Sequence, residues 1–79
     1  MWDNILSKRE LDRVKLYVNW LYTGYKQSKT GKYKVSFALG EKRIMDATVK
    51  VFQDKGYPTR IIPNTNPRRI WVENWVEIG

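Results

Sequence analysis

The stretch YKVSFALGEKRIMDATVKVFQDKGY, residues 33–57, decides the fold because its hydrophobic period changes in the middle. Odd-numbered positions from Tyr33 to Leu39 are apolar and alternate with small or polar residues, which predicts a half-buried strand over residues 33–39. From residue 41 the apolar residues recur at three- and four-residue steps, which predicts an amphipathic helix over residues 41–55. Gly56 is placed to cap this helix, and the following Tyr57-Pro58 prevents its continuation.

A longer helix is predicted on the N-terminal side, over residues 8–26. It opens on Ser7-Lys8-Arg9-Glu10, a capping box in which the Ser7 hydroxyl accepts from the Glu10 amide and the Glu10 carboxylate accepts in return. Beyond the box, one apolar stripe repeats at helical spacing. The stripe consists of Leu11, Val14, Val18, Leu21 and Tyr25. Trp2 and Trp20 are also expected in the core.

Two strands are predicted on the C-terminal side, joined by a turn. Residues 59–62 form a short strand, residues 63–67 read PNTNP and form the turn, and residues 68–78 form a longer strand. Along the longer strand, alternation separates an apolar face from a mixed face. The apolar face holds Ile70, Val72, Val76 and Ile78 around Asn74, and the mixed face holds Arg69, Trp71, Glu73, Trp75 and Glu77.

The predicted element order is therefore α-β-α-β-β, in a single α+β domain that spans residues 1–79. The strand–helix–strand unit is expected to cross over right-handed, which makes the first two strands parallel, and the last hairpin adds an antiparallel strand. This gives a three-stranded mixed sheet with two helices on one face, in a strand order that the sequence leaves open. The other face is bare and is expected to be covered by a partner. It carries Lys34, Ser36, Arg69, Trp71 and Trp75.

The charge is strongly basic and unevenly placed along the chain. Fifteen Lys and Arg stand against eight Asp and Glu, for a formal net charge of +7. Residues 13–40 contain six basic residues and no acid, and residues 55–72 contain four basic residues and no acid, whereas residues 41–54 are neutral. Two acid-free blocks indicate a polyanion as the ligand. Solubility alone is the alternative explanation.

Several function classes lack the residues that they need. The chain has no Cys and no His, which removes disulfides, the usual zinc ligands, the commonest general base and two of the common nucleophiles. We therefore expect no enzymatic activity, no metal and no cofactor. We recognise neither a secretory signal nor an apolar run long enough to span a membrane. A cytoplasmic protein without a membrane or small-molecule partner is expected.

Basic and aromatic residues form the candidate binding site. Lysines in a polar loop can follow a phosphate backbone, and arginines beside a rigid turn can fork onto phosphate or stack on a base. An aromatic platform next to them suits single-stranded nucleic acid, RNA in particular. The expected nucleic-acid-binding residues are Lys26, Lys29, Lys32, Lys34, Arg60, Arg68, Arg69 and Trp71. Trp71 and Trp75 are the expected interface residues if a protein covers the sheet.

Two segments, Lys55-Gly56-Tyr57-Pro58 and residues 69–75 (RIWVENW), resemble the small early accessory proteins of T4-like bacteriophages. Those proteins are short cytosolic α/β chains in which GY often ends a helix and W lies late in the final strand. The resemblance implies a protein that binds a host factor or nucleic acid to redirect or disarm it. One such kind, which the basic charge would suit, inhibits a host ribonuclease toxin by binding RNA and the toxin together.

The sequence thus predicts a small basic nucleic-acid-binding accessory protein, with RNA favoured over DNA, acting in the host cytoplasm if it is phage-encoded. The first alternative is a protein-interaction module that inhibits or adapts an acidic host protein, with the bare Trp face as its interface. The second alternative is a dimeric structural scaffold. A homodimer is expected because a chain of this size builds only a small core.

Overall fold

The computed structural model describes residues 6–79, and its elements follow the predicted order. They are α1 (Lys8–Gln27), β1 (Tyr33–Ala38), α2 (Lys42–Asp54), β2 (Thr59–Pro63) and β3 (Val72–Ile78). The α+β class and the α-β-α-β-β order are confirmed. Trp2, which the sequence places in the core, lies outside the described residues.

The start of α1 confirms the predicted capping box. The Glu10 N–H donates to the Ser7 hydroxyl at 3.2 Å, and the Ser7 N–H donates to the Glu10 carboxylate at 2.9 Å. These two bonds satisfy donors that the first turn of a helix otherwise leaves open. The buried face of α1 contributes Val14, Tyr17 and Leu21 to the core.

Trp20 is an exception to the predicted core. The prediction that it is buried is wrong, because its helical position falls beside the buried stripe and leaves 52% of the residue exposed. Its ring centroid lies 6.1 Å from that of Tyr17, and the Tyr17 ring packs on Phe37 of β1 at 4.1 Å. Trp20 therefore lies on the outer flank of α1, on the side of β1.

The strand β3 lies in the middle of the sheet, in the order β1-β3-β2. Both of its pairings are antiparallel, so the prediction of a mixed sheet is wrong. β1 and β2 still run in the same direction, but β3 inserts between them instead of adding at an edge. The central position suits β3 because its inward residues Val76 and Ile78 are apolar and become fully buried there.

The strand β3 begins at Val72, so the prediction of a strand from residue 68 is wrong at its start. The reason is the Asn64 side chain, whose amide donates to the carbonyl oxygens of Asn66, Arg69 and Val72 at 3.3, 2.9 and 3.0 Å. These bonds hold residues 66–71 in a turn. Ile70, expected on the apolar face, is consequently 76% exposed.

Both helices pack on one face of the sheet, as predicted, and the core lies between the two layers. Gly24 lets β1 approach α1 closely, because a Cβ at this position would collide with the ring of Tyr33. Gly56 directly follows the last residues of α2 with φ of 83°, the left-handed conformation that ends many helices. Within residues 6–79, no helix has both the length and the apolarity needed to cross a bilayer.

Candidate nucleic-acid interface

The uncovered face of the sheet is centred on Trp75. In a strand, neighbouring side chains point to opposite faces, so Trp75 lies opposite to the buried Val76. Its cross-strand neighbours are Ser36 on β1 and Ile62 on β2. We call this surface the open face. It consists of Lys34, Ser36, Arg60, Ile62, Trp75 and Glu77.

Two cations from distant parts of the chain meet at the Trp75 ring. The Lys34 Nζ lies 4.8 Å from the ring centroid, and the Arg69 Cζ lies 5.7 Å from it. Both distances fall within the range of cation–π attraction, about 6 Å. Because both charges lie close to the same ring, they are no farther apart than roughly the Debye length at 0.1 M salt, about 10 Å. Their attractions for a polyanion reinforce each other.

The turn that carries Arg69 is held by its own asparagines. The Asn64 N–H donates to the carbonyl oxygen of Glu73 at 3.0 Å, and the Asn66 N–H donates to the Asn64 Oδ1 at 3.1 Å. The Arg68 N–H donates to the Asn66 Oδ1 at 3.0 Å. A loop that is fixed before binding loses less conformational entropy when a ligand arrives. The turn therefore holds the backbone of Arg69 in place beside the open face.

A groove of about 350 Å³ separates this turn from the sheet. Its volume lies within the range of ligand-binding clefts, about 300–1,000 Å³. Two cations and no carboxylate line it among the described residues, so its electrostatic preference is for an anion. The lining residues are Lys34, Ile62, Pro63, Asn64, Thr65, Asn66, Arg69 and Trp75.

The other end of the open face is partly neutralised. The Arg60 Nη2 lies 2.7 Å from the Glu77 Oε1, and Glu77 also lies opposite Lys34 across the strands. Lys32 and Arg60 line the same smaller groove at this end. The open face and its borders thus carry the four cations Lys32, Lys34, Arg60 and Arg69. Against them stand the carboxylate of Glu77 and, two residues before Trp75 on β3, that of the exposed Glu73.

The charge-neutral part of the sequence is internally paired. In α2, Lys42 bonds Asp46 at 2.8 Å and Lys50 bonds Asp54 at 3.1 Å. Within residues 6–79, by contrast, no ion pair involves Lys32, Lys34, Arg68 or Arg69. These four cations are therefore available to a ligand.

The structure separates some of the predicted binding residues from this site. Lys26 lies on the helix layer, with its Nζ 5.8 Å from the centroid of the Tyr22 ring. Lys29 is exposed in the loop between α1 and β1. Arg68 is exposed on the turn next to Arg69.

The two tryptophans of the predicted interface lie in different places. Trp71 is in the turn, 60% exposed, and its carbonyl oxygen accepts from the Leu39 N–H at 3.0 Å. Trp75 is half-buried at the centre of the open face. The aromatic ring that the cations contact is therefore Trp75, which the sequence assigned to a protein interface and not to nucleic acid.

Sequence reasoning also missed Asn64 and Asn66. Asparagine side chains bond to backbone groups two residues on, and they often organise turns in this way. The PNTNP sequence contains this signal, because it places two asparagines between two prolines. The pattern indicates a self-bonded turn and not merely a break between strands.

We expect Asn64→Ala to lower the free energy of unfolding by about 2 kcal/mol, because three carbonyl oxygens lose their donor. Urea denaturation measures this change. Asn64→Asp should lower the free energy of unfolding by as much, because its carboxylate keeps the acceptor oxygen but lacks the N–H donors. Thr65→Ala is the control, since this exposed neighbour makes no side-chain hydrogen bond in the described structure. Equal stability of Asn64→Ala and Thr65→Ala would contradict the role of Asn64.

Within residues 6–79, no group of three or more Asp, Glu, His or Cys is arranged to hold a metal ion. Comparison of the chain with protein families, with curated proteins and with solved structures finds no match. The assignment of a function therefore depends on the geometry of the open face.

Proposed function

We propose that this protein binds single-stranded nucleic acid, RNA in preference to DNA, through the open face. It acts by binding and not by catalysis. The observation that supports the proposal most is the meeting of Lys34 and Arg69 at the ring of Trp75. Three separate chain segments contribute to this contact, and a self-bonded turn fixes one of them.

Each part of the site has a role that its chemistry suits. Lys34 contacts a phosphate as a point charge, and Arg69 can fork onto two oxygens of the next phosphate or stack on a base. The apolar surface of Trp75 and Ile62 gives an unstacked base a place to pack. Since RNA loops and ends offer unstacked bases, they fit this surface better than a regular duplex does.

The geometry favours a single strand over a duplex. Recognition of a DNA duplex usually places a helix or a two-stranded ribbon in the major groove. Here both helices pack against the sheet on its other side, and the open face is a sheet surface bordered by a turn. A strand that lies along this surface meets phosphate ligands with little base-specific readout, so modest sequence preference is expected.

The salt dependence of binding tests the electrostatic part of this proposal. Three phosphate contacts, by Lys32, Lys34 and Arg69, which form no ion pair within residues 6–79, predict a slope of log K against log salt of about −2 for a single strand. Fluorescence anisotropy with a labelled RNA oligonucleotide of mixed sequence measures it between low and physiological salt. An affinity that does not change with salt would contradict the proposal, and tighter binding to a duplex than to the single strand would contradict the geometry.

A second candidate function rests on a different surface. Leu39, Ile70 and Trp71 are 62%, 76% and 60% exposed, and a backbone hydrogen bond joins Leu39 to Trp71. Three large apolar residues in one place are typical of a protein-binding site. In this function the basic charge steers the encounter with an acidic partner.

A pull-down from host lysate with and without nuclease separates the two functions. A protein that the wild type retains after nuclease treatment, and that Trp71→Ala loses, supports the second function. Loss of every bound protein on nuclease treatment supports nucleic-acid binding. The role as a phage accessory protein, including inhibition of a host ribonuclease toxin, stays a prediction.

A further inference from the structure

The two edges of the sheet differ in what their backbones offer. β1 and β2 are the edge strands, because β3 lies between them. In an antiparallel sheet the N–H and C=O groups of alternate residues face the same neighbour, so every second residue of an edge strand faces away from the sheet. Pro63 is such an outward residue on β2 and has no N–H to donate. β1 contains no proline.

Side chains of the same molecule cap both ends of the β1 edge. At one end, the Ser28 hydroxyl donates to the Lys32 carbonyl oxygen at 2.6 Å. At the other end, the Ala38 N–H donates to the Glu41 Oε1 at 2.9 Å, and the Ala38 carbonyl oxygen accepts from the Glu41 N–H at 3.1 Å. Residues 32 and 38 are thus outward residues, and the Lys32 carbonyl oxygen and both backbone groups of Ala38 have internal partners.

The outward residues between these caps are Lys34 and Ser36. Alternation along the strand places their N–H and C=O groups on the same side as those of Ala38, away from β3. No side chain among the described residues bonds to them. The edge therefore offers two donors and two acceptors in a row, which is the arrangement that pairs with an added strand.

We propose that this edge binds a second copy of the chain, β1 against β1 in antiparallel orientation, to form a six-stranded sheet. The caps allow one register. Pairing Ser36 with Ser36 would bring Lys34 against Ala38, whose groups are already bonded. Pairing Lys34 with Lys34 would oppose like charges and bring Ser36 against Lys32, whose carbonyl oxygen is also bonded.

The remaining register pairs Lys34 of each copy with Ser36 of the other. It uses the N–H and C=O groups of Lys34 and Ser36 on both edges and forms four backbone hydrogen bonds around a two-fold axis through Val35. No lysine then lies directly opposite another lysine. The backbone groups alone would accept any extended strand, but in this register each edge supplies to the other the same groups that it receives, so a second copy closes the interface around a two-fold axis.

The outer flank of α1 supports the same occupant. Leu16 and Trp20 are 51% and 52% exposed and lie one helical turn apart on α1. Through its stack on Tyr17, which packs on Phe37, Trp20 lies on the β1 side of the helix. The two-fold axis therefore brings the Leu16 and Trp20 side chains of both copies together above the paired strands and buries them.

The dimer extends the open face without being required for it. Lys34 of one copy enters the cross-strand row that contains Ser36 and Trp75 of the other. Two sites centred on Trp75 then lie on one continuous sheet surface. Since each copy carries a net charge of +7, added salt should tighten the dimer by screening repulsion, whereas it weakens binding to nucleic acid.

Sedimentation equilibrium of the full chain without nucleic acid tests the proposal. The wild type should approach twice the monomer mass of 9.5 kDa as its concentration rises. The dimer should form at lower protein concentration in about 0.5 M salt than in about 0.1 M salt. Trp20→Glu should weaken the dimer about 100-fold, because the two-fold axis introduces the change twice. Ser36→Pro should also weaken the dimer, because it removes the Ser36 N–H from the pairing edge. The monomer should keep its fold, since proline is tolerated in a strand where the N–H faces away from the sheet.

Trp71→Glu is the matched control, because it places the same charge at an equally exposed tryptophan elsewhere. It should leave the dimer unchanged, and circular dichroism shows whether each variant keeps its fold. A wild type that stays monomeric at about 1 mM in high salt would overturn the proposal. A dimer that Trp71→Glu dissociates and that Trp20→Glu leaves intact would overturn it too.

Discussion

Replacing Lys34 and Arg69 together by Ala is expected to lower the affinity for single-stranded RNA about 100-fold at 0.1 M salt. A hydrogen bond to a charged group contributes about 1.5–3 kcal/mol, so each lost phosphate contact costs at least about tenfold. The slope of log K against log salt should also become less steep by about 1.4, since two phosphate contacts are lost. Anisotropy titrations at several salt concentrations measure both effects.

The matched control removes the same charge from the other side of the molecule. Lys15 and Lys55 are exposed on the rim of an apolar groove between α1 and α2, and neither forms an ion pair within residues 6–79. Lys15→Ala with Lys55→Ala should weaken binding less than about threefold, through net charge alone. If both double variants lose affinity equally, the protein binds by net charge and the open face has no special role.

The second large effect concerns stability and the residue Glu41. Its carboxylate accepts hydrogen bonds from the Ala38 N–H, the Tyr17 hydroxyl and the Arg13 Nη2, each at 2.9 Å. These bonds join α1, the end of β1 and the start of α2. Glu41→Ala removes the acceptor of three hydrogen bonds, one of them from the buried Tyr17, and should lower the free energy of unfolding by about 3 kcal/mol. For a domain of this size, the Tm should fall by more than about 10 °C.

The same carboxylate should make stability depend on pH. Burial alone would raise the pKa of Glu41, but the Ala38 N–H and then the Arg13 and Tyr17 bonds outweigh it and lower the pKa below its ordinary value of 4.5. Because the folded pKa lies below the unfolded one, the contribution is fully present above about pH 5 and is lost as the pH falls through the folded pKa. Urea denaturation at several pH values between about 7 and about 3 measures this contribution to the free energy of unfolding.

Glu41→Gln is the variant that isolates this titration. It cannot ionise, so its free energy of unfolding should fall less steeply than that of the wild type as the pH decreases. Asp46→Ala serves as the control for losing a carboxylate, because Asp46 forms an exposed pair with Lys42, and exposed pairs contribute little to stability. Parallel pH profiles of the wild type and Glu41→Gln would show that Glu41 does not titrate in the way described.

The helices and strands could be predicted because local patterns specify them. The capping box at Ser7 and the apolar stripe define α1, and Gly56 marks the end of α2. The position of β3 could not be predicted, since a strand pairs equally well at an edge or in the middle unless burial on both sides decides between them. The turn at residues 63–67 was predicted, but its continuation to residue 71 was missed, because the Asn64 side-chain amide overrides the alternation that residues 68–71 display.

The charged residues of the candidate site were predicted from the sequence, but the aromatic residue at its centre was not. Lys34 and Arg69 were among the expected residues, and they do meet. Alternation placed Trp71 and Trp75 on one strand face, so it could not show that the turn removes Trp71 from the sheet. Which aromatic ring the cations contact depends on the pairing of Ser36 with Trp75 and on the path of the turn, and neither is a local property of the sequence.

The most direct test of the open face as the binding surface is an NMR titration of the isotope-labelled protein with a single-stranded RNA oligonucleotide. We expect the largest shift changes at the amides of Lys34, Ser36 and Arg69 and at the indole N–H of Trp75, which Trp75→Phe assigns. The amides of Lys15 and Lys55 on the helix layer should change little. The largest changes at Lys15 and Lys55, or shifts spread evenly over the molecule, would contradict the assignment of the open face.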